Sequence, residues 1–255
     1  MNLNPDAVRL RARASLVHLL LSAGVAALAA ALVFLLWYPG PFRLMSGGRD
    51  LFLLVVGVDI VLGPLLTFVV FDLGKGWPHL RRDLAVIGAI QLAGLGYGLH
   101  TVYIVRPVAA VFEVDRFRVV TANNVREVEL PKALPTYREL PLTGPWLLSA
   151  RPAQAGEERT EALFMALDGV DTGQRPIFWR PYEEARAQAL ARSRPVSVLM
   201  QRYPGQAEAL RDLFRSLAAD SATLRFLPVI ARGDWVVFLD AAGDPQGYFP
   251  LDGFF

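Results

Sequence analysis

The 255-residue sequence contains no cysteine. That absence excludes disulfides, thiolate metal sites, catalytic thiols and paired-cysteine redox motifs. Histidine is almost as scarce: His18, His79 and His100 are the only three, so everything after residue 100 lacks one. The C-terminal part therefore has neither the common zinc ligands nor the base of a Ser–His triad. No GxGxxG and no GxxxxGK[ST] run occurs, which removes the usual phosphate-cradling loops. What is abundant is apolar: 53% of residues are hydrophobic and 20% are charged. That is too apolar for an average soluble domain and too charged for membrane spans alone. It also excludes a disordered or collagen-like chain.

Charge divides the chain in two. Residues 1–106 carry 9 Lys and Arg against 5 Asp and Glu, and residues 107–255 carry 17 against 19. The basic excess flanks apolar runs, so a pI near 9.1 points to membrane orientation and not to nucleic acid. Three runs are long enough to span: Ala14–Tyr38, Leu51–Phe71 and Leu84–Val105. A helix needs about 20 apolar residues to cross the hydrocarbon core. The first run resembles a signal peptide at its basic start and at Ala27-Leu28-Ala29. Its apolar stretch continues through Leu36, beyond the usual h-region of about 7–15 residues, so it reads as an uncleaved anchor. Arg9, Arg11 and Arg13 in the tail, with Lys75, Arg81 and Arg82 between spans two and three, outweigh Arg43 and Arg49 between spans one and two. More positive charge stays cytoplasmic. The expectation is a bacterial inner-membrane protein, N-terminus cytoplasmic, with residues 107–255 in the periplasm. Trp37, Tyr38 and Tyr103 fall where interfacial aromatics belong.

Asp59 is the one acid inside a span, and an ionised carboxylate there is costly unless paired or hydrated. Tyr97 and His100 on span three lie at comparable depth, which makes them its expected hydrogen-bond partners. Asp59 is read either as an internal pin between spans two and three or as a contact for a partner helix. His18 and Gln91 read as pins. Gly63-Pro64 predicts a kink in span two. Gly94 and Gly98 form a GxxxG pair that permits close helix approach, either within the bundle or for a docking helix.

Residues 107–255 are enough for one compact core. The pattern predicts strands Ala109–Glu113 and Arg116–Thr121, an irregular proline-rich stretch 123–145 and a strand at Trp146–Ala150. Helices are expected over Gln154–Leu167, from Pro181 to near Arg192, and over Gly205–Ala219. Pro195–Arg202 reads as helix or strand. A hairpin, Phe226–Ala231 with Trp235–Asp240, and a last strand Gln246–Pro250 complete an α+β domain with a largely antiparallel sheet. Asp234, Asp240, Asp244 and Asp252 lack EF-hand spacing and suit turns.

Trp37-Tyr38-Pro39-Gly40-Pro41 follows span one, and Gly57-Val58-Asp59-Ile60-Val61-Leu62-Gly63-Pro64-Leu65-Leu66-Thr67 lies in span two. With Arg82-Asp83-Leu84-Ala85-Val86-Ile87, Gln91-Leu92-Ala93, Tyr97-Gly98 and Arg106-Pro107-Val108, these residues resemble the TfpX/TfpZ family of type IV pilin accessory proteins. The resemblance covers about residues 15–120. It implies an inner-membrane protein that supports the stability or assembly of the major type IV pilin in a chaperone-like, non-catalytic way. It implies no cofactor and no metal, and partners that are the pilin and the bilayer but not nucleic acid. The residues inferred to meet the pilin are Asp59, Gly63, Pro64, Gly94, Tyr97, Gly98 and His100. The competing reading is a membrane-anchored periplasmic enzyme or sensor acting on a small ligand or glycan, using Glu113, Asp115, Arg116 and Arg118. Neither reading fixes the oligomeric state.

Overall fold

The computed structural model describes residues 5–217, 220 and 222–255. The chain divides into two compact units: residues 1–40 with 47–104, and residues 41–46 with 105–255. The short loop between the first two apolar helices thus clusters with the C-terminal part, although the sequence pattern groups it with the spans.

The first unit holds three helices long and apolar enough to cross a membrane. Helix α1 (Pro5–Ala31) opens on a proline, whose missing N–H leaves no donor unsatisfied. It continues as a π-helical turn, Leu32–Trp37, closed by the Tyr38 N–H donating to the Val33 carbonyl at 2.8 Å. Tyr38 is fully buried and donates its hydroxyl to the Val102 carbonyl at 2.8 Å. Its ring is packed over Gly48, where a Cβ would collide with it. Helix α3 (Gly48–Val70) follows the short α2 (Phe42–Met45) and runs unbroken through Pro64. Helix α4 (Trp77–Ile104) completes the unit. Ala29, Val33, Phe52, Val56 and Val102 form its core, while Leu20, Leu28, Leu35 and Leu54 stay exposed. Apolar side chains turned outward over three long helices are what a lipid environment accepts and water does not.

The second unit is a mixed, mostly antiparallel sheet with helices. Its strands are β1 (Pro107–Glu113), β2 (Arg116–Thr121), β3 (Trp146–Ala150), β4 (Trp179–Pro181), β5 (Arg194–Pro195), β6 (Arg225–Ala231), β7 (Gly233–Leu239) and β8 (Pro245–Phe249). The order is β4-β3-β1-β2-β6-β7-β8, with β5 paired to β6. Among the described residues, β1–β3 and β2–β6 are the parallel pairs. The helices are α5 (Glu157–Leu167), α6 (Arg186–Arg192), α7 (Val196–Arg202) and α8 (Ala207–Ser216). Thus 195–202 is mainly helical, and the end of the expected 205–219 helix, Ala218 and Ala219, lies outside the described residues. Strand β4 falls in a stretch read as a turn-rich link. Three apolar clusters share the sheet. One contains Phe117, Tyr182, Val229 and Val237 together with Met45 and Phe42 of α2. The Arg232 N–H donates to the Met45 carbonyl at 2.7 Å, so the loop is stitched to the β6–β7 turn as well as packed.

Candidate functional site

Helix α3 is the common packing partner of α1 and α4. Between the three opens a cavity of about 730 Å³. Its α1 wall is Leu10, Ala14, Val17, Leu21 and Val25, and its α4 wall is Leu84, Gly88, Leu92 and Leu95. Spacings of three and four residues keep each set on one helix face. From Leu10 to Val25 the wall runs about 22 Å at 1.5 Å per residue. Val56, Asp59, Thr67 and Phe71 supply the α3 side. The lining is thus an apolar groove with a few polar groups, which is the usual make-up of a recognition site.

Those polar groups are tied together across all three helices. His18 on α1 meets Thr67 Oγ1 through Nδ1 and Gln91 Oε1 through Nε2, each at 2.6 Å. The Gln91 amide Nε2 donates to the Asp59 backbone carbonyl at 3.0 Å. With Gln91 Oε1 as an acceptor, Nε2 of His18 donates to it, and Nδ1 faces the Thr67 hydroxyl, which can donate or accept. Ser15 Oγ donates to the Pro64 carbonyl at 2.8 Å. Pro64 provides no N–H for the preceding turn, and it is near this point that side chains from α1 and α4 reach backbone carbonyls of α3.

The seven residues singled out from the sequence separate by what they touch. Gly63 lies under the Gln91 amide, and Gly98 under Val55. A Cβ at either position would collide, so both are consumed by the α3–α4 approach. Pro64 is buried and bonded to α1. Asp59 lines the groove, and Gly94 lies opposite it, its notional Cβ 3.9 Å from Asp59 Oδ1. The carboxylate of Asp59 makes no hydrogen bond or ion pair among the described residues. The expected pairing with Tyr97 or His100 is absent. Tyr97 is 75% exposed and His100 is exposed too. Residues advance about 100° each around a helix, so Tyr97 points roughly 100° away from Gly98, which packs on α3. The sequence reading missed the α1 side of the groove and Gly88. The recurring face Leu10, Ala14, Val17, Leu21, Val25 was the available signal, masked because the whole run is apolar.

In the second unit, the charged strand residues assigned to a ligand pocket are spent on one another. Glu113, 5% exposed, accepts from Arg118 Nε and from the Gly173 N–H, both at 2.7 Å. Arg118 also pairs with Asp171, and Arg116 with Asp115. Asp240 accepts from the Ala242 and Asp244 N–H groups at 2.9 Å, as a turn residue does. Among the described residues no group of acids and histidines could hold a metal ion.

Residues 6–47 match the family model described as Fimbrial assembly protein FimB. The fimbrial assembly protein of serogroup I from Dichelobacter nodosus is 36% identical over 234 residues, 90% of each chain. The serogroup E1 protein of the same organism is 34% identical over 232 residues, again 90% of each. A third relative from that organism, the fimbrial assembly protein of serogroups C1 and C2, is 42% identical over 122 residues, 48% of this chain and 93% of its own. No solved structure matches the chain.

Proposed function

The chain belongs to the family of fimbrial assembly proteins, and on that premise we propose that it binds and stabilises the major pilin in the inner membrane before or during assembly. The observation that carries this reading is the open apolar groove between α1 and α4. A subunit waiting in a membrane must keep an apolar helix in the lipid. A groove about 22 Å long, with walls of Leu, Val, Ala and Gly, gives such a helix a lateral berth by van der Waals packing. The resemblance to the TfpX/TfpZ pilin accessory proteins fits the same role. Asp59, without a carboxylate partner among the described residues, marks where an incoming helix would bring a hydrogen-bond donor, since a lone carboxylate at that depth is costly.

The basic tail and the basic loop between α3 and α4 belong on the cytoplasmic side. Residues 41–46 cluster with residues 105–255. One crossing before residues 41–46 and three before residues 105–255 would then bring both segments to the periplasm.

Gly88 gives a clean test. It lines the groove, and a Cβ there meets nothing within 4 Å. Gly88→Leu should fill the groove, leave the amount of this protein unchanged, and lower both pilin level and co-purification. Gly98→Leu should instead damage the protein itself. Normal pilin binding by an abundant Gly88→Leu variant would rule out the groove.

A further inference from the structure

Helix α5 turns Glu158, Ala162 and Met165 toward its own unit, where they are half-buried, and leaves its other residues exposed. Two of its acids are held by arginines of that unit. Glu158 accepts from Arg151 Nη1 and Nη2 at 2.9 and 2.7 Å and from the Gln154 N–H at 2.5 Å. Glu161 accepts from Arg175 Nη2 at 3.0 Å, and Arg175 is 1% exposed. No residue of α5 is buried. Leu163, Phe164 and Leu167 are 61%, 62% and 76% exposed. With Thr160 they make an i, i+3, i+4, i+7 stripe, the pattern by which a helix ordinarily packs on a partner.

Charge selects among possible occupants. Of the charges in residues 157–168, Glu158 and Glu161 are taken up by Arg151 and Arg175, which leaves Glu157 and Asp168 against Arg159 beside the apolar stripe. A helix lying on a bilayer carries Lys and Arg on its polar face, because the surface is anionic. A second copy laid antiparallel would set Glu157 against the other copy's Asp168, like charge on like. The occupant that fits is a protein surface with an apolar centre and a rim of Lys and Arg. We propose that α5 docks the soluble head of the fimbrial subunit through such a basic-rimmed apolar patch. This rests on the subunit-binding reading above, which places that head on the same side of the membrane as residues 105–255.

The test uses the full-length chain in cells that make the subunit. A photo-crosslinking amino acid replaces Phe164 in one sample and Leu92, on the groove wall, in another. The expected result is an adduct recognised by antibody to the subunit from both positions. Leu163→Glu with Leu167→Glu should reduce the Phe164 adduct by at least about tenfold, as loss of central apolar anchors does. Glu157→Lys with Asp168→Lys should also reduce it, with the protein's abundance unchanged. A subunit adduct from Leu92 with none from Phe164 overturns the α5 proposal and leaves the groove reading standing. So does a Phe164 adduct only with lipid or with a second copy. No subunit adduct from either position overturns both.

Discussion

In the first unit a few polar side chains serve three helices: His18 bonds to Gln91 and Thr67, and Ser15 and Tyr38 each reach one backbone carbonyl. In the second unit the interior holds whole ion networks. Arg175 bridges Glu129 at 2.8 Å and Glu161, and Glu113 is held by Arg118 and a backbone N–H. The first unit turns leucines outward along its length, whereas the second buries most of its large apolar residues and leaves one helix, α5, with its apolar side out. Polar groups in the first unit therefore work as sparse pins, where each unmet group is costly. In the second, water at the surface lets charges be paired in numbers, at the risk of stranding one when its partner is removed.

That contrast predicts its largest effect at Arg175. Arg175→Met leaves the buried Glu129 with Arg126 as its remaining cation and should destabilise the second unit by about 3–5 kcal/mol. Chemical denaturation followed by tryptophan emission would measure it. Adding Glu129→Leu should recover most of the loss. If the single variant were as stable as the parent, the ion network would be surface decoration.

Met45 comes next. It lies between two apolar helices in the chain yet is fully buried in the core of the second unit. Met45→Ala should cost that unit about 2–5 kcal/mol and raise its protease sensitivity. Residues 107–255 expressed alone should show the same defect, since they lack both Met45 and Phe42.

His18→Leu, in the first unit, should cost less, about 1 kcal/mol, because hydrogen bonds between membrane helices are individually modest. Unfolding in bicelles would record it. A loss as large as that for Arg175→Met would mean that the two units are not stabilised differently.

The smallest effect is a pH slope. Bonds from Arg151 and the Gln154 N–H lower the Glu158 carboxyl from 4.5 to about 2. A depressed carboxyl adds stability that is fully present above its unfolded value, about 4.5, and is lost as pH falls through its folded value, about 2. Glu158→Gln should flatten the acid slope of α5 helicity in that window, by under about 1 kcal/mol for so exposed a pair.

Much of the architecture was legible in the chain. The spans were visible because each run is long and nearly free of charge. β1, β2, β3 and the β6–β7 hairpin were visible because alternation and Gly233 mark them. The three-residue β4 was hidden, since Trp179-Arg180-Pro181 carries no period. Met45 could not be placed, because nothing local says that a loop methionine completes a distant core. The site was legible in composition but not in direction. Asp59 stood out by charge, whereas the choice of Gln91 over Tyr97 as its neighbour depends on the rotation of α4 against α3. Within an apolar run, periodicity does not report rotation.

The most direct test of the account is a crosslinking scan along α1 in cells that make the subunit. Val17 and Leu21 line the groove, while Leu16 and Leu20 are exposed on other faces of the same helix. The account predicts subunit adducts from Val17 and Leu21 and little from Leu16 and Leu20. Equal adducts from all four positions, or none from Val17 and Leu21, would contradict it.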